Sequence, residues 1–300
     1  MKSLAYYLLY ALSFLIAILP LRVLYIISDI NYYIIFYIVR YRKETVFTNL
    51  KNSFPEKSET EIAQIAKKFY KHLCDLFVET IKQLQFTEEE RRMRIKIQNP
   101  EILDNLYKEH KLILTAMGHF NNWEWISSLT RPPGFQIVSI YKTLHNKSFD
   151  RLMLKLRSIS GSILVSTSQT FRYLNNWKKS DSRAFFCFIS DQSPLKKDIH
   201  YWTKFLNQDT PIFVGIEKMA VKMNLPVCYF RLHKIKRGFY ELEIIPITDN
   251  PAQLKPFEIT EAHVRFLEED INNQPECWLW SHRRWKRKPD IYEPKSGTDA

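Results

Sequence analysis

Short apolar runs that alternate with segments of helical periodicity constrain the fold of this chain more than any other feature. The apolar runs fall at residues 112–117, 137–141, 163–165, 185–189 and 227–232. The helical segments among them fall at residues 149–159, 170–177 and 212–223. Strands that alternate with helices pack as an α/β fold, because the crossover helices cover the faces of the sheet. The pattern therefore predicts a mixed sheet with helical crossovers, and residues 236–238 predict a turn between two late strands.

The first forty residues form a second, strongly apolar feature. Residues 4–19 carry no charge, and residues 23–39 are interrupted only by Asp29 and Asn31. The first stretch is slightly shorter than the ~20 residues that a straight membrane span requires. A signal peptide and a buried pair of core helices are the alternatives, although no small-residue cleavage site precedes Pro20. The tyrosines of this region suit a membrane–water interface, so we expect a membrane-anchoring helical segment.

Charges around the apolar segment predict its orientation. Arg40, Arg42 and Lys43 follow it, whereas only Lys2 precedes it. Basic residues remain on the cytoplasmic side of a membrane, so the bulk of the chain is predicted to be cytoplasmic. We accordingly expect an N-terminal anchor over residues 1–43, one α/β domain over residues 44–289, and a mobile tail over residues 290–300.

Composition limits the partners and cofactors. The formal net charge is +12 and the pI about 9.4, which favours an acidic partner such as anionic lipid or an acidic carrier protein. Aromatic residues concentrate in the apolar segment and strands rather than among basic residues, which argues against nucleic acid. The four cysteines are widely spaced and predict buried free thiols in a reducing compartment. Dinucleotide and P-loop motifs are absent, and no ligands stand in register for a metal, so we expect no cofactor.

Residues 118–124, Gly-His-Phe-Asn-Asn-Trp-Glu, carry the strongest candidate for chemistry. His119 follows the predicted strand 112–117, and Glu124 precedes a predicted helix. A histidine at that position can accept a proton from a hydroxyl, and a carboxylate can hold its imidazole in the required tautomer. The two side chains can meet only if His119 lies in the turn and Glu124 in the first helical turn, with Asn121 or Asn122 as the helix cap. The alternative is a polar turn with an exposed glutamate.

A second polar position follows the strand predicted at residues 185–189. Ligand sites in such sheets lie beyond the carboxyl ends of the strands, so Asp191 and His119 can converge on one site, and Gln192 can join them. On the residues alone, the better interpretation of Asp191 is an aspartate that starts a turn before Pro194.

Three arginines are candidates for binding an anionic substrate. Arg157 can hold a phosphate or polar head group by bidentate hydrogen bonds, and its alternative is an ordinary surface arginine. Arg283 and Arg284 stand in a Trp-Ser-His-Arg-Arg-Trp segment, where the aromatic residues are expected to pack and the cations to point outward. A phosphate-rich acceptor or an acidic carrier would suit both arginines. His282, which directly precedes them, is interpreted as a packed structural histidine.

Five segments in order resemble the bacterial lipid A biosynthesis (lauroyl/myristoyl-type) acyltransferases, which belong to the wider glycerolipid acyltransferase superfamily. The segment 118–124 resembles their signature, and residues 278–289 resemble their Trp-x-x-His-Arg-Arg ending. The other three matches are residues 42–55, 188–194 and 205–220. The chain departs from the family at residues 141–143, which read Tyr-Lys-Thr, and Arg157 only loosely matches a family arginine.

The resemblance implies a glycerolipid acyltransferase-like fold and a function. It implies transfer of a fatty acyl chain from a thioester, in particular on acyl carrier protein, to a hydroxyl of a lipid A precursor at the cytoplasmic face of the inner membrane. His119 and Glu124 would be catalytic, and Asp191 would belong to an acidic block that helps to bind the acceptor. Neither a Gly-x-Ser-x-Gly motif nor a cysteine signature is present, which favours direct transfer without a covalent enzyme intermediate.

Two alternatives remain open from the sequence. One is acylation of a different lipid, such as a lysophospholipid or an aminoacyl lipid. The other, from a different class of protein, is a non-catalytic basic protein that binds membrane or nucleic acid. The presence of the histidine–carboxylate motif disfavours this second alternative.

Overall fold

The computed structural model describes residues 4–129 and 135–289. The tail predicted over residues 290–300 lies outside the described residues. Two apolar helices open the chain, α1 at Leu4–Ile18 and α2 at Leu21–Tyr33, and α2 continues as a π-helix over Ile34–Val39. The continuous segment Leu21–Val39 is long and apolar enough to cross a membrane by length and composition, and 22% of it is buried.

Two helices connect this segment to the rest of the fold. Helix α3 spans Lys43–Ser53, and the long helix α4 spans Glu59–Lys82. A capping box begins α4: Ser58 Oγ accepts from the Glu61 N–H, and Glu61 Oε2 accepts from the Ser58 N–H. The apolar face of α4 is buried in the core.

A seven-stranded sheet forms the centre of the molecule, in the order β1-β9-β8-β2-β5-β3-β4. Its strands are β1 Ile95–Ile97, β2 Leu112–Met117, β3 Phe135–Tyr141, β4 Ile163–Ser166, β5 Arg183–Ile189, β8 Val227–Lys236 and β9 Phe239–Thr248. Five strands run parallel, whereas β9 and β1 run in the opposite direction at one edge. The predicted α/β fold with a mixed sheet is confirmed, as is the late pair of strands, which turns at Gly238.

Helices cover both faces of the sheet. They are α5 Glu88–Arg94, α6 Pro100–Glu109, α7 Lys147–Ser158, α8 Thr170–Lys178, α9 Gly215–Met223 and α10 Glu258–Asn273. All six residues of β2 are buried, and alternate side chains enter separate apolar clusters, Leu114 on one face and Ile113 on the other. A hairpin that the sequence analysis missed, β6 Trp202–Phe205 with β7 Gln208–Pro211, precedes α9. The helix predicted at residues 212–223 therefore begins three residues later.

The first two helices pack on the α/β domain through one side only. Helix α1 contacts α7 and α4, and α2 contacts α4. Lys82, at the end of α4, donates to the carbonyls of Ala17 and Leu19, where α1 ends. The opposite side of both helices exposes large apolar side chains, among them Leu4, Leu8, Leu12, Leu15, Ile18, Ile26, Ile30 and Ile38. Helices α1 and α2 therefore pack against the domain on one side and are not buried core helices.

Candidate active site

The register of the central strands brings His119 and Asp191 together. Strands β2 and β5 are parallel neighbours, with Met117 opposite Ile189. His119 and Asp191 each follow two residues beyond this pair, so both stand at the carboxyl edge of the sheet. This is the convergence that the sequence predicts from the two strand ends.

One carboxylate oxygen of Asp191 contacts the imidazole of His119, and the other contacts the backbone N–H of His119. Oδ1 lies 2.6 Å from His119 Nδ1, and Oδ2 accepts from the His119 N–H at 2.8 Å. The indole of Trp278 also donates to Oδ2, at 2.8 Å. Burial raises the pKa of the Asp191 carboxyl, but the electrostatic interaction with His119 and these hydrogen bonds outweigh it and hold the pKa well below its usual range. Asp191 is therefore a buried carboxylate positioned against a histidine.

Glu124 does not hold the imidazole, contrary to the expectation from the sequence. It lies in the first turn of a 3₁₀ helix, Trp123–Ser128, and its carboxylate is bidentate with Arg157 of α7. The two hydrogen bonds measure 2.7 Å from Nε and 2.5 Å from Nη2. Burial raises the pKa of Glu124, yet the adjacent Arg157 brings it below its ordinary value. The ring of Trp123 packs edge-on against His119, with centroids 5.1 Å apart, and its indole donates to Glu124.

The second ring nitrogen of His119 faces away from Asp191. Gln192 Nε2 lies 3.2 Å from His119 Nε2. The Asp191 carboxylate can only accept, so Nδ1 carries the proton in this contact, and in the neutral ring Nε2 then carries the lone pair. The His119 side chain keeps 17% of its surface exposed. A neutral imidazole with an available Nε2 is the form that can accept a proton from a substrate.

The C-terminal segment closes the back of the site, and its two arginines differ. Arg283 is exposed, as expected, whereas Arg284 is fully buried and donates from Nη2 to the carbonyl of Pro211. The expectation that both cations point outward is wrong for Arg284, because the segment follows the buried Trp280 into the core. Burial lowers the pKa of Arg284 to about 10. His282 is packed and accepts from the Ser193 N–H at 3.3 Å, and burial lowers its pKa to about 4.

Helix α4 contributes polar groups that the sequence analysis missed. Glu79 is fully buried, and its carboxylate accepts hydrogen bonds from Tyr25, Asn122 and Tyr240. Burial raises its pKa above the ordinary value. Asn122 therefore anchors the turn to α4 rather than capping the helix, and Asn121 donates to the carbonyl of Leu232. The available signal was the polar set His72, Asp75 and Glu79, spaced along the apolar face of a helix.

Within residues 4–129 and 135–289, no group of three or more histidine, cysteine or acidic side chains could hold a metal ion. All four cysteines are free and buried. The arrangement at the sheet edge can instead perform proton transfer. Its parts are a histidine whose Nε2 lies away from the carboxylate, a buried carboxylate that can stabilise the protonated ring, and an arginine–glutamate pair on the adjoining elements.

One comparison with known proteins gives a match. A family model described as bacterial lipid A biosynthesis acyltransferase matches residues 1–287, almost the whole chain. No curated protein matches the chain.

Proposed function

The chain belongs to the bacterial lipid A biosynthesis acyltransferase family, and from this premise we propose that it transfers a fatty acyl chain from acyl carrier protein to a hydroxyl of a lipid A precursor. The observation that carries the proposal is the contact of His119, in the segment 118–124, with Asp191 at the end of the neighbouring strand, with His119 Nε2 turned away from the carboxylate. No bound cofactor is required for this chemistry.

His119 acts as the general base. Its Nε2 takes the proton of the acceptor hydroxyl as that oxygen attacks the thioester carbonyl, and Asp191 stabilises the imidazolium that forms. The tetrahedral intermediate collapses by breaking the carbon–sulfur bond, and the imidazolium returns the proton to the departing thiolate. The products are the acyl ester and the free thiol, and His119 ends as it began.

Glu124 and Arg157 act as a pair. Glu124 binds two N–H groups of the guanidinium and so fixes the plane of Arg157 in the wall of the site. The remaining N–H groups of Arg157 are donors for the negative charge that develops on the thioester oxygen or for a phosphate of the acceptor. Glu124 thus serves catalysis through Arg157 rather than through His119. Gln192 helps to bind the acceptor beside His119 Nε2.

The exposed apolar side of α1 and α2 holds the enzyme to the inner membrane, with the α/β domain on the cytoplasmic face. The lipid acceptor is supplied by the membrane, and the donor arrives from the cytoplasm. Arg283, Lys286 and Lys288 are exposed near the site and form a basic surface for an acidic carrier protein.

The proposal is tested with the full-length protein in detergent, a lipid A precursor and an acyl carrier thioester, with the product identified by mass spectrometry. We expect the precursor to gain one acyl ester, and His119→Ala to lower the rate by about 10²–10⁴-fold. If the enzyme acylates a lysophospholipid and not the lipid A precursor, the proposed acceptor is wrong, while the proposed role of His119 still stands. Normal turnover by His119→Ala would overturn the mechanism.

The donor is tested by comparing the same acyl group on carrier protein and on coenzyme A at low salt. We expect the carrier to be the better donor, because the basic surface attracts an acidic protein. Reversing the charge of Arg283 and Lys288 should raise the apparent KM for the carrier more than for coenzyme A. Equal use of the two donors would contradict the carrier assignment.

A further inference from the structure

A polar cleft of about 490 Å³ lies outside the proposed active site, between α2, α4 and the turn that joins β8 to β9. Tyr33 and Asp29 of α2 line one wall, Lys71 of α4 lines another, and Lys234 and Arg237 come from the β8–β9 hairpin. The volume falls in the range of small-ligand sites. The acyl-transfer mechanism uses none of these residues.

The cations of the cleft differ in how far their charge is already neutralised. Arg237 binds the carboxylates of both Asp75 and Asp29, with Nη2 at 2.5 Å and 2.7 Å from them. Lys234 donates to His72 at 3.1 Å and lies 3.9 Å from Asp75. The charge of Arg237 is therefore neutralised within the protein, and the charge of Lys234 is partly neutralised.

Lys71 supplies the surplus charge of the cleft. Its ammonium lies 5.3 Å from the ring centroid of Tyr32, and no carboxylate within the described ranges pairs with it. Three cations stand against two carboxylates around the cleft, which leaves one positive charge in excess. Lys71 and Lys234 together offer ammonium groups to an anion, and lysine binds phosphate in proteins as a compact point charge.

The cleft is continuous with the exposed apolar side of α2. Ile26, Ile30 and Tyr33 lie within one turn of Asp29, and each exposes more than half of its side-chain surface. A ligand that occupies the cleft therefore meets charge at one end and an apolar helix surface at the other. This is the pattern of a phospholipid, with its phosphate in the cleft and its acyl chains along α2.

We propose that this cleft binds the phosphate of a membrane phospholipid through Lys71 and Lys234, beside the apolar side of α2. The lipid is a bound component that fixes the enzyme at the headgroup level of the membrane. The proposal concerns a site apart from His119 and is judged by lipid binding, so its outcome does not depend on the proposed acyl transfer.

The test is native mass spectrometry of the full-length protein in detergent, titrated with dimyristoylphosphatidylglycerol. We expect one phospholipid to be retained per chain, and Lys71→Gln to weaken retention about tenfold, as for the loss of one charged hydrogen bond. Lys67→Gln is the matched control, because Lys67 is exposed on the same helix and does not line the cleft. The control should retain lipid as the unchanged protein does.

Two further probes identify the source of the phosphate. Dimyristoylglycerol, which has the same chains without phosphate, should not be retained, and inorganic phosphate should not displace the phospholipid at comparable concentration. Equal retention of dimyristoylglycerol, equal competition by inorganic phosphate, or unchanged retention by Lys71→Gln would each overturn the proposal.

Discussion

At the scale of single residues, the site depends on which basic side chain each of its two carboxylates contacts. Asp191 contacts the imidazole of His119, and Glu124 contacts the guanidinium of Arg157. Both carboxylates are buried, and interaction with its own partner lowers the pKa of each below the ordinary value. The two carboxylates therefore have separate roles, and substitutions can distinguish them.

Asp191→Asn should lower kcat about 10²–10⁴-fold, because an amide cannot stabilise the imidazolium or fix the same tautomer. The measurement is steady-state transfer by purified protein across pH. Asp181→Asn is the control, since Asp181 is an exposed aspartate paired with Lys111. Unchanged turnover of Asp191→Asn would show that the carboxylate has no part in proton transfer.

Glu124→Gln should lower the free energy of unfolding by about 3 kcal/mol, because it leaves the partly buried guanidinium of Arg157 without its counter-charge. The double variant Glu124→Gln with Arg157→Met removes both charges and should recover much of that loss. Transfer activity should remain low in both variants if the guanidinium serves the substrate. If the double variant recovers transfer activity as well as stability, the Glu124–Arg157 pair has only a structural role. Chemical unfolding in detergent and a transfer assay give the two readouts.

At the scale of elements, the apolar helices are attached to the domain by specific polar bonds. Tyr25 of α2 donates to Glu79, Ser28 donates to Asp75, and Lys82 binds the end of α1. Deleting residues 1–39 would therefore damage the domain as well as the proposed anchor. Substitutions on the exposed side of the helices separate the two effects.

Replacing Leu8, Leu12 and Leu15 of α1 and Ile26 and Ile30 of α2 by serine should release the protein from membranes. Each exposed side chain contributes roughly 1.5–3 kcal/mol when it enters an apolar phase, and none is required by the core. The fraction that sediments with membranes is measured beside Ile235→Ser, an exposed apolar residue of β8. A multiple variant that stays fully membrane-bound would contradict interfacial attachment by this surface.

At the scale of the whole molecule, several histidines are buried in the neutral form. Burial lowers the pKa of His263 to about 4 and that of His72 well below its ordinary value. The unfolded chain takes up these protons near pH 6.5, whereas the folded chain does not. The unfolded state therefore binds more protons in this interval, and stability falls as the pH is lowered from about 6.5 to 4.

The free energy of unfolding should consequently decrease by up to about 1.4 kcal/mol per pH unit for each such histidine. His263→Gln should reduce this slope by the contribution of one histidine, up to about 1.4 kcal/mol per pH unit. The comparison is urea unfolding at several pH values between 4 and 7, with the same substitution at the exposed His200 as the control. An unchanged slope in His263→Gln would contradict a neutral buried His263.

Local patterns along the chain are enough to predict the class of the fold and the two strand ends that carry the site. Apolar periodicity is a local property, so it predicts β2 and β5 and places His119 and Asp191 beyond their carboxyl ends. The family signature likewise lies in contiguous segments. Burial of the cysteines follows from their apolar neighbours in the same way.

The pairing of charges, by contrast, depends on contacts between segments that are distant along the chain. Glu124 is five residues from His119, yet the carboxylate against the imidazole comes from Asp191, because the register of β2 and β5 sets Met117 opposite Ile189. Local spacing also gave no means to separate Arg283 from Arg284, which differ only because one enters the core. A buried charge must find a partner wherever the fold supplies one, and that partner is fixed by packing between distant segments.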